Sequence, residues 1–264
     1  MYSALGFLPI ALVLLTAGTF VVSYVIAVVR GDVTAAFPYI SDTGAKIPES
    51  SVFGQFLNLA AFITFCTIYI RYKLIDAIST GEDRWLVRMN RLTMVMGIVS
   101  SLGCSMVANF QEGTEVEAVH ISGAFLVFVG GVIYAFLQTG ISYHMYPDYN
   151  GLRICRIRLA ICLTSLACLI ITLAAAAVAL YKWNAVPHTK TKLKWDDGDP
   201  GFTAHIVSTI GEWLTAFTFL SFFFTYVRDF QKFRLTVTTH PLVRHLDEEP
   251  YLDQAPNERT HLLA

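Results

Sequence analysis

The chain has 264 residues, 55% of them hydrophobic and only 15% charged, with a net charge of −1. A soluble domain carries about 25% charged residues, so a mean hydropathy of +0.53 points to a membrane protein. The near-neutral balance provides no basic field for nucleic acid, which is excluded as a partner.

A helix needs roughly 20 mostly apolar residues to cross a bilayer. The first such run, Leu5–Val29, follows a start with no basic residue. It far outlasts the apolar core of a secretory signal, so it is expected to stay as a membrane helix. The polar stretch "FPYISDTGAKIPES" comes next, at residues 37–50. Its Asp42-Thr43-Gly44 is a turn signal, because Asp bonds its own backbone and Gly tolerates positive φ. Further apolar runs cover Val52–Ile70, Leu92–Phe110, Ala118–Tyr143, Leu159–Tyr181 and Phe202–Val227, and none of the six contains Lys or Arg. In lipid the backbone must be satisfied within the segment, and the runs lack the period-two alternation of barrel strands. The reading is an all-α, polytopic, six-transmembrane-helix bundle over residues 1–227. Gly123, Gly130 and Gly131 in the fourth run, and Ala174–Ala177 with Ala179 in the fifth, suit close helix contacts. Phe222–Phe224 reads as aromatic mass, facing either lipid or core.

Positive residues collect in cytoplasmic loops. With alternating spans, thirteen Lys and Arg fall on the side of the termini and six on the other, which predicts both termini in the cytosol. Cys66, Cys104, Cys162 and Cys168 lie in the spans and Cys155 beside them on the cytosolic side, so no exoplasmic disulfide framework is implied. Cys155 reads as a free thiol, with palmitoylation as the alternative.

Ionisable groups at membrane depth usually face the bundle interior. Here they gather on the exoplasmic side. Glu212 lies about 15 Å into the sixth span at 1.5 Å per residue, with His205 two turns above it. His120 opens the fourth span, while Asn109, Gln111 and Glu112 close the third. Asp42, Glu49, Asn109, Gln111, His120, His205 and Glu212 are therefore expected to line one junction under the first loop. That junction either fixes helix register through hydrogen bonds or opens as a pocket for a lipid headgroup or an ion. His120, His205 and Glu212 could ligate a metal only if three helices converged, so no metal is assigned. The sequence contains no nucleophile elbow, P-loop or zinc-protease helix, and neither an enzyme nor a cofactor is expected.

Residues 228–264 are polar and read as a flexible cytosolic tail, with Arg228, Lys232 and Arg234 near anionic headgroups. The tail ends in Glu258-x-x-x-Leu262-Leu263, the acidic-dileucine pattern that clathrin adaptor complexes read.

The blocks "PYISDTG" (38–44), "PES" (48–50) before Phe53-Gly54, and "IYIRYK" (68–73) resemble the damage-regulated autophagy modulators of the Frag/DRAM/Sfk superfamily. "VANFQE" (107–112), "HISGA" (120–124), "LKWDDGDPGFTAHIVSTIGEW" (193–213) and "YVRDFQK" (226–232) resemble further blocks of that family in the same order. The "NERTHLL" ending is similar to that of the longer-tailed, second vertebrate paralogue. The resemblance implies a lysosomal or endolysosomal multi-pass protein, in transit through Golgi or late endosomes. Such a protein promotes autophagy through unidentified effectors, in some relatives coupled to apoptosis, and contributes no catalytic residue. Sibling groups imply an alternative, a protein that binds or translocates membrane lipids through the exoplasmic polar junction.

Overall fold

The computed structural model describes residues 3–79, 81–239, 241 and 243. After a 3₁₀ turn at Ala4–Gly6 come α1 (Phe7–Val29), α2 (Glu49–Ile78), α3 (Arg84–Asn109), α4 (Glu117–His144), α5 (Leu152–Asn184), α6 (Phe202–Phe224) and the short α7 (Val227–Phe230). Six of the helical stretches are long and apolar enough to cross a membrane, and no strand occurs among the described residues. The connections α1–α2, α3–α4 and α5–α6 meet at one end of the bundle, called here the loop end. The start of α1 and α7 lie at the other end, where Ser3 N–H donates to the Gln231 carbonyl at 3.0 Å.

Several hydroxyls inside the apolar helices are satisfied within their own helix. Thr16, Thr64, Thr139, Ser142 and Thr215 each donate to the carbonyl four residues back, at 2.8–2.9 Å. This back-bonding lets a polar side chain sit at membrane depth with no unpaired donor.

The helices overrun their apolar windows. α2 continues to Ile78, α3 begins at Arg84, and α5 spans Leu152–Asn184. Hydropathy stops at the first charge, whereas a helix stops where its hydrogen bonds stop. Asp83, which accepts from the Leu86 N–H at 2.9 Å, is the cap that starts α3. Residues 228–233, expected in the tail, belong to the bundle instead. The compact unit runs to Phe233, and Phe230 is wholly buried among Tyr226, Ile75 and Leu86.

Helices α3 and α4 pack through facing glycines. A Cβ on Gly103 would lie 2.7 Å from the Gly123 carbonyl oxygen, and one on Gly123 would lie 2.7 Å from the Met106 Cβ. Neither contact can be relieved by a side-chain rotation. Gly123→Leu is expected to cost at least the roughly 1–3 kcal/mol of an overpacked core, read as a lower unfolding midpoint in mild detergent. An unchanged midpoint would mean the two helices do not touch there. The alanine run behaves differently from expectation. Ala174 and Ala177 face outward and only Ala179 is buried, its carbonyl against Gly201, because the α5 face that meets α6 is carried by Ser165, Leu169 and Thr172. The phenylalanine run divides: Phe222 is in the core and Phe224 is exposed.

Candidate functional site

Four hydrogen bonds tie residues 38–43 of the first loop to the helices, and a fifth lies within the loop. Tyr39 OH donates to Ser208 Oγ at 2.7 Å, and Ile40 N–H donates to Glu212 Oε1 at 2.9 Å. The indole N–H of Trp213 donates to the Pro38 carbonyl at 2.9 Å, so three successive loop residues are gripped by one face of α6. Thr43 Oγ1 donates to the Ile40 carbonyl at 2.6 Å and lies 3.1 Å from Ser23 Oγ on α1. Asp42, Thr43 and Gly44 form a buried 3₁₀ turn, and Gly44 presses on the Phe53 ring so closely that any Cβ there would overlap it. The polar motif in an apolar chain is thus a plug in which Asp42 and Thr43 are buried.

Under the plug three carboxyls converge from three elements. Burial raises the Asp42 carboxyl well above the usual carboxylate range, and the negative charges of Glu112 and Glu212 push in the same direction. Burial, and then Glu117, push Glu112 up to about 7, with Lys192 pulling the other way. His120 joins through both nitrogens: Nδ1 is 2.6 Å from the Phe110 carbonyl and Nε2 is 3.1 Å from Glu112 Oε2. Because Nδ1 must donate to the carbonyl, the Nε2–Glu112 contact needs one proton, carried by either partner.

These shifts have a sign. A carboxyl that binds its proton more tightly in the folded state stabilises the fold fully below the ordinary carboxylate range. That contribution is lost as pH rises through the folded value, here the window up to about 7 for Glu112. Amide hydrogen exchange across residues 39–45, corrected for intrinsic rates, is expected to show several-fold rarer opening at pH 5.5 than at pH 7.5. Glu112→Gln should flatten the difference. Equal opening at both pH values would contradict the assignment.

The residues expected to share one junction divide into separate groups. Asp42, His120 and Glu212 meet, together with Glu112. His205 belongs to an aromatic stack instead, lying 4.3 Å from Trp195 at 8° and edge-on to Tyr39 at 5.1 Å. Trp195 continues the stack to Trp183 and His188. Asn109 pairs with Asn58 in both directions, at 2.9 and 3.0 Å, on an exposed flank between α2 and α3. Gln111 reaches only the Ala108 carbonyl, at 3.5 Å. Glu49 is buried at the start of α2 with Arg30 Nε 3.8 Å away. Among the described residues no group of three His, Cys, Asp or Glu gathers as a metal site. Glu258, Leu262 and Leu263 lie outside the described residues.

The opposite end holds a cluster that the apolar windows concealed. Arg71 and Arg158 sit just past the edges of their windows, yet their side chains are 1% and 0% exposed. Both bond Asp229 Oδ2, at 3.0 and 2.7 Å, and both guanidinium groups lie over the Tyr226 ring, 5.0 and 5.1 Å from its centre. Gln138 accepts from Arg71 Nε, Ser142 Oγ from Arg158 Nη1, and the Thr225 hydroxyl and carbonyl oxygens from Arg158 Nε and Nη2. Cys155 is fully buried beside this cluster and donates to the Ser142 carbonyl at 3.2 Å, which fits the free thiol and not the palmitoylated one.

The sequence profile of the Frag1/DRAM/Sfk1/Cwh43P N-terminal domain matches residues 4–233, the whole helical unit including both clusters. The chain belongs to this family. It is 41% identical to human DNA damage-regulated autophagy modulator protein 2 over 271 aligned positions, covering 98% of this chain and 96% of that protein. It is 38% identical to mouse DNA damage-regulated autophagy modulator protein 1, with 89% and 94% of the two chains covered. The Xenopus laevis modulator of macroautophagy TMEM150B-B is 34% identical over 66% of this chain and 72% of its own length. No solved structure matches. Within this family framework, Glu112, Tyr39, Trp213, Arg71, Arg158 and Asp229 are the residues that a ranking by depth and polarity passed over. For Glu112, Arg71, Arg158 and Asp229 the signal was the charge at the margin of an apolar run.

Proposed function

We propose that this chain is a lysosomal or endolysosomal multi-pass membrane protein that promotes autophagy without enzymatic chemistry, with both termini in the cytosol. The observation that carries the reading is near-full-length similarity to proteins named as autophagy modulators, covering 98% of the chain and so extending beyond the bundle into the tail. The geometry supports a non-enzymatic role. His120 is committed to Phe110 and Glu112, His205 to its aromatic stack, and Glu212 to the first loop. The excess of Lys and Arg beside the termini supports the orientation. In that orientation the Asp42–Glu212 junction would face the lumen.

The tail would carry the address. Glu258 meets a basic patch on a clathrin adaptor, and Leu262 and Leu263 fill its apolar pocket. Replacing both leucines by alanine is expected to move most of the protein to the plasma membrane and to weaken its rescue of autophagic flux in cells lacking it. An unchanged endolysosomal distribution would refute the signal. A second reading, lipid binding at the lumenal junction, is favoured by the cavity beneath the first loop.

A further inference from the structure

A narrow cavity begins directly under Ile40 and Ser41, beside His120 and Glu212, and runs down the bundle to Ile68, Tyr134 and Phe222. The centre of a water molecule could occupy about 150 Å³ of it. From His120 to Tyr134 along α4 is about 21 Å at 1.5 Å per residue. That is somewhat more than half the roughly 30 Å hydrocarbon thickness of a bilayer. A bore of that volume over that length suits one extended hydrocarbon chain.

Its polarity is graded. The hydroxyls along the shaft are already used: Thr16 and Thr64 bond their own helices, Ser100 donates to the Val127 carbonyl at 3.2 Å, and Ser101 donates to the Ala61 carbonyl at 2.8 Å. At the loop end Glu212 receives the Ile40 N–H on one oxygen and keeps accessible surface within the bundle, because it borders the void. Asp42 and Glu112 stand near it. Of the basic side chains at that end, Arg30 and Lys46 pair with Asp32 and Lys190 with Asp196 and Asp199, while Lys192 acts on Glu112. At the upper end of the bore Glu212 therefore presents a carboxyl that no lysine or arginine among the described residues pairs with. A fatty acid would add a further carboxylate, whereas an ammonium group would supply the missing cation.

A way in is visible. On the outer face of the bundle, Val13 and Ala17 of α1 and Phe217, Leu220 and Phe224 of α6 line a groove. Leu220 also lines the inner bore, so its side chain is the partition between the two.

We propose that the bore binds one long-chain amine of the sphingoid-base type, entering from the bilayer past Leu220, with its alkyl chain among α1, α2, α3, α4 and α6 and its ammonium head on Glu212. This deepens the lipid-binding reading. A protein that reaches lysosomes and supports autophagy yet ignores the amine fails here alone.

The test uses the full-length protein in mild detergent with two clickable probes, a long-chain amine and the fatty acid of equal length, each carrying a diazirine in mid-chain. Expected is amine labelling at least fivefold above fatty-acid labelling, mapped to α3 and α4 peptides containing Val107, Ala124 and Val127. Glu212→Gln, which still accepts from Ile40, should cut amine labelling about tenfold. Filling the bore with Ala124→Trp, or with Val127→Phe should the tryptophan prevent folding, should abolish it. Equal labelling by both probes, labelling confined to outer-face peptides, or indifference to both Glu212→Gln and the bore-filling variant would each overturn the proposal.

Discussion

Asp229→Ala is expected to be among the most damaging single substitutions in the chain, costing about 3–5 kcal/mol, the usual penalty for breaking a buried ion pair by removing one partner. The reason is the imbalance of the cluster. Two fully buried guanidinium groups share a single carboxylate oxygen, and Arg71 Nη2 already lacks a hydrogen-bond partner among the described residues. The surplus positive charge is tolerated because Arg158 also reaches the Thr225 carbonyl just past the end of α6, where the helix dipole is negative. Without Asp229 the Tyr226 ring between the two cations cannot replace a full negative charge. Asp229→Asn, which keeps the size and one acceptor, should lose less than Asp229→Ala.

The decisive measurement is a double-mutant cycle on unfolding midpoints in mild detergent. Arg158→Met is costly alone but should cost much less once Asp229 is Ala, since it then removes an uncompensated cation. Strict additivity, or an Asp229→Ala variant within about 1 kcal/mol of the parent, would show that the cluster is not energetically coupled.

The second large effect concerns the plug. Glu212→Leu is expected to strand the Ile40 N–H, at the roughly 1–3 kcal/mol cost of an unpaired buried donor, and to release residues 38–44. The Tyr39–Ser208 and Trp213–Pro38 bonds flank that contact on the same helix face, so they should weaken with it. Glu212→Gln retains an acceptor and should keep the loop docked. Limited proteolysis of the loop in detergent separates the two: rapid cleavage is expected for the leucine variant and parental resistance for the glutamine variant. Equal cleavage of both would mean that Glu212 acts through its charge and not as the loop's acceptor.

The bundle was legible because its signal is local. Each apolar run is about as long as a bilayer demands and must form its own hydrogen bonds. The junction was only partly legible. Asp42, His120 and Glu212 could be nominated by depth and polarity, yet the same criteria also drew in His205, Asn109 and Gln111. His205 turned aside because Trp195 and Tyr39 offered it aromatic faces, and Asn109 because Asn58 stood opposite it across α2 and α3. Glu112 counted merely as the end of a helix, although it is the residue that bridges His120 to the acids.

By itself the sequence determined the number of spans, the turn at Asp42–Gly44 and the family, all properties of contiguous residues and their order. The tertiary structure alone decided that Arg71 and Arg158 turn inward on one aspartate, 158 and 71 residues away respectively. It alone decided that Ile40 docks on a carboxylate 172 residues further along the chain. A buried charge or an unpaired amide becomes affordable only when its partner arrives, and that partner is chosen by helix packing, which no local window of sequence contains.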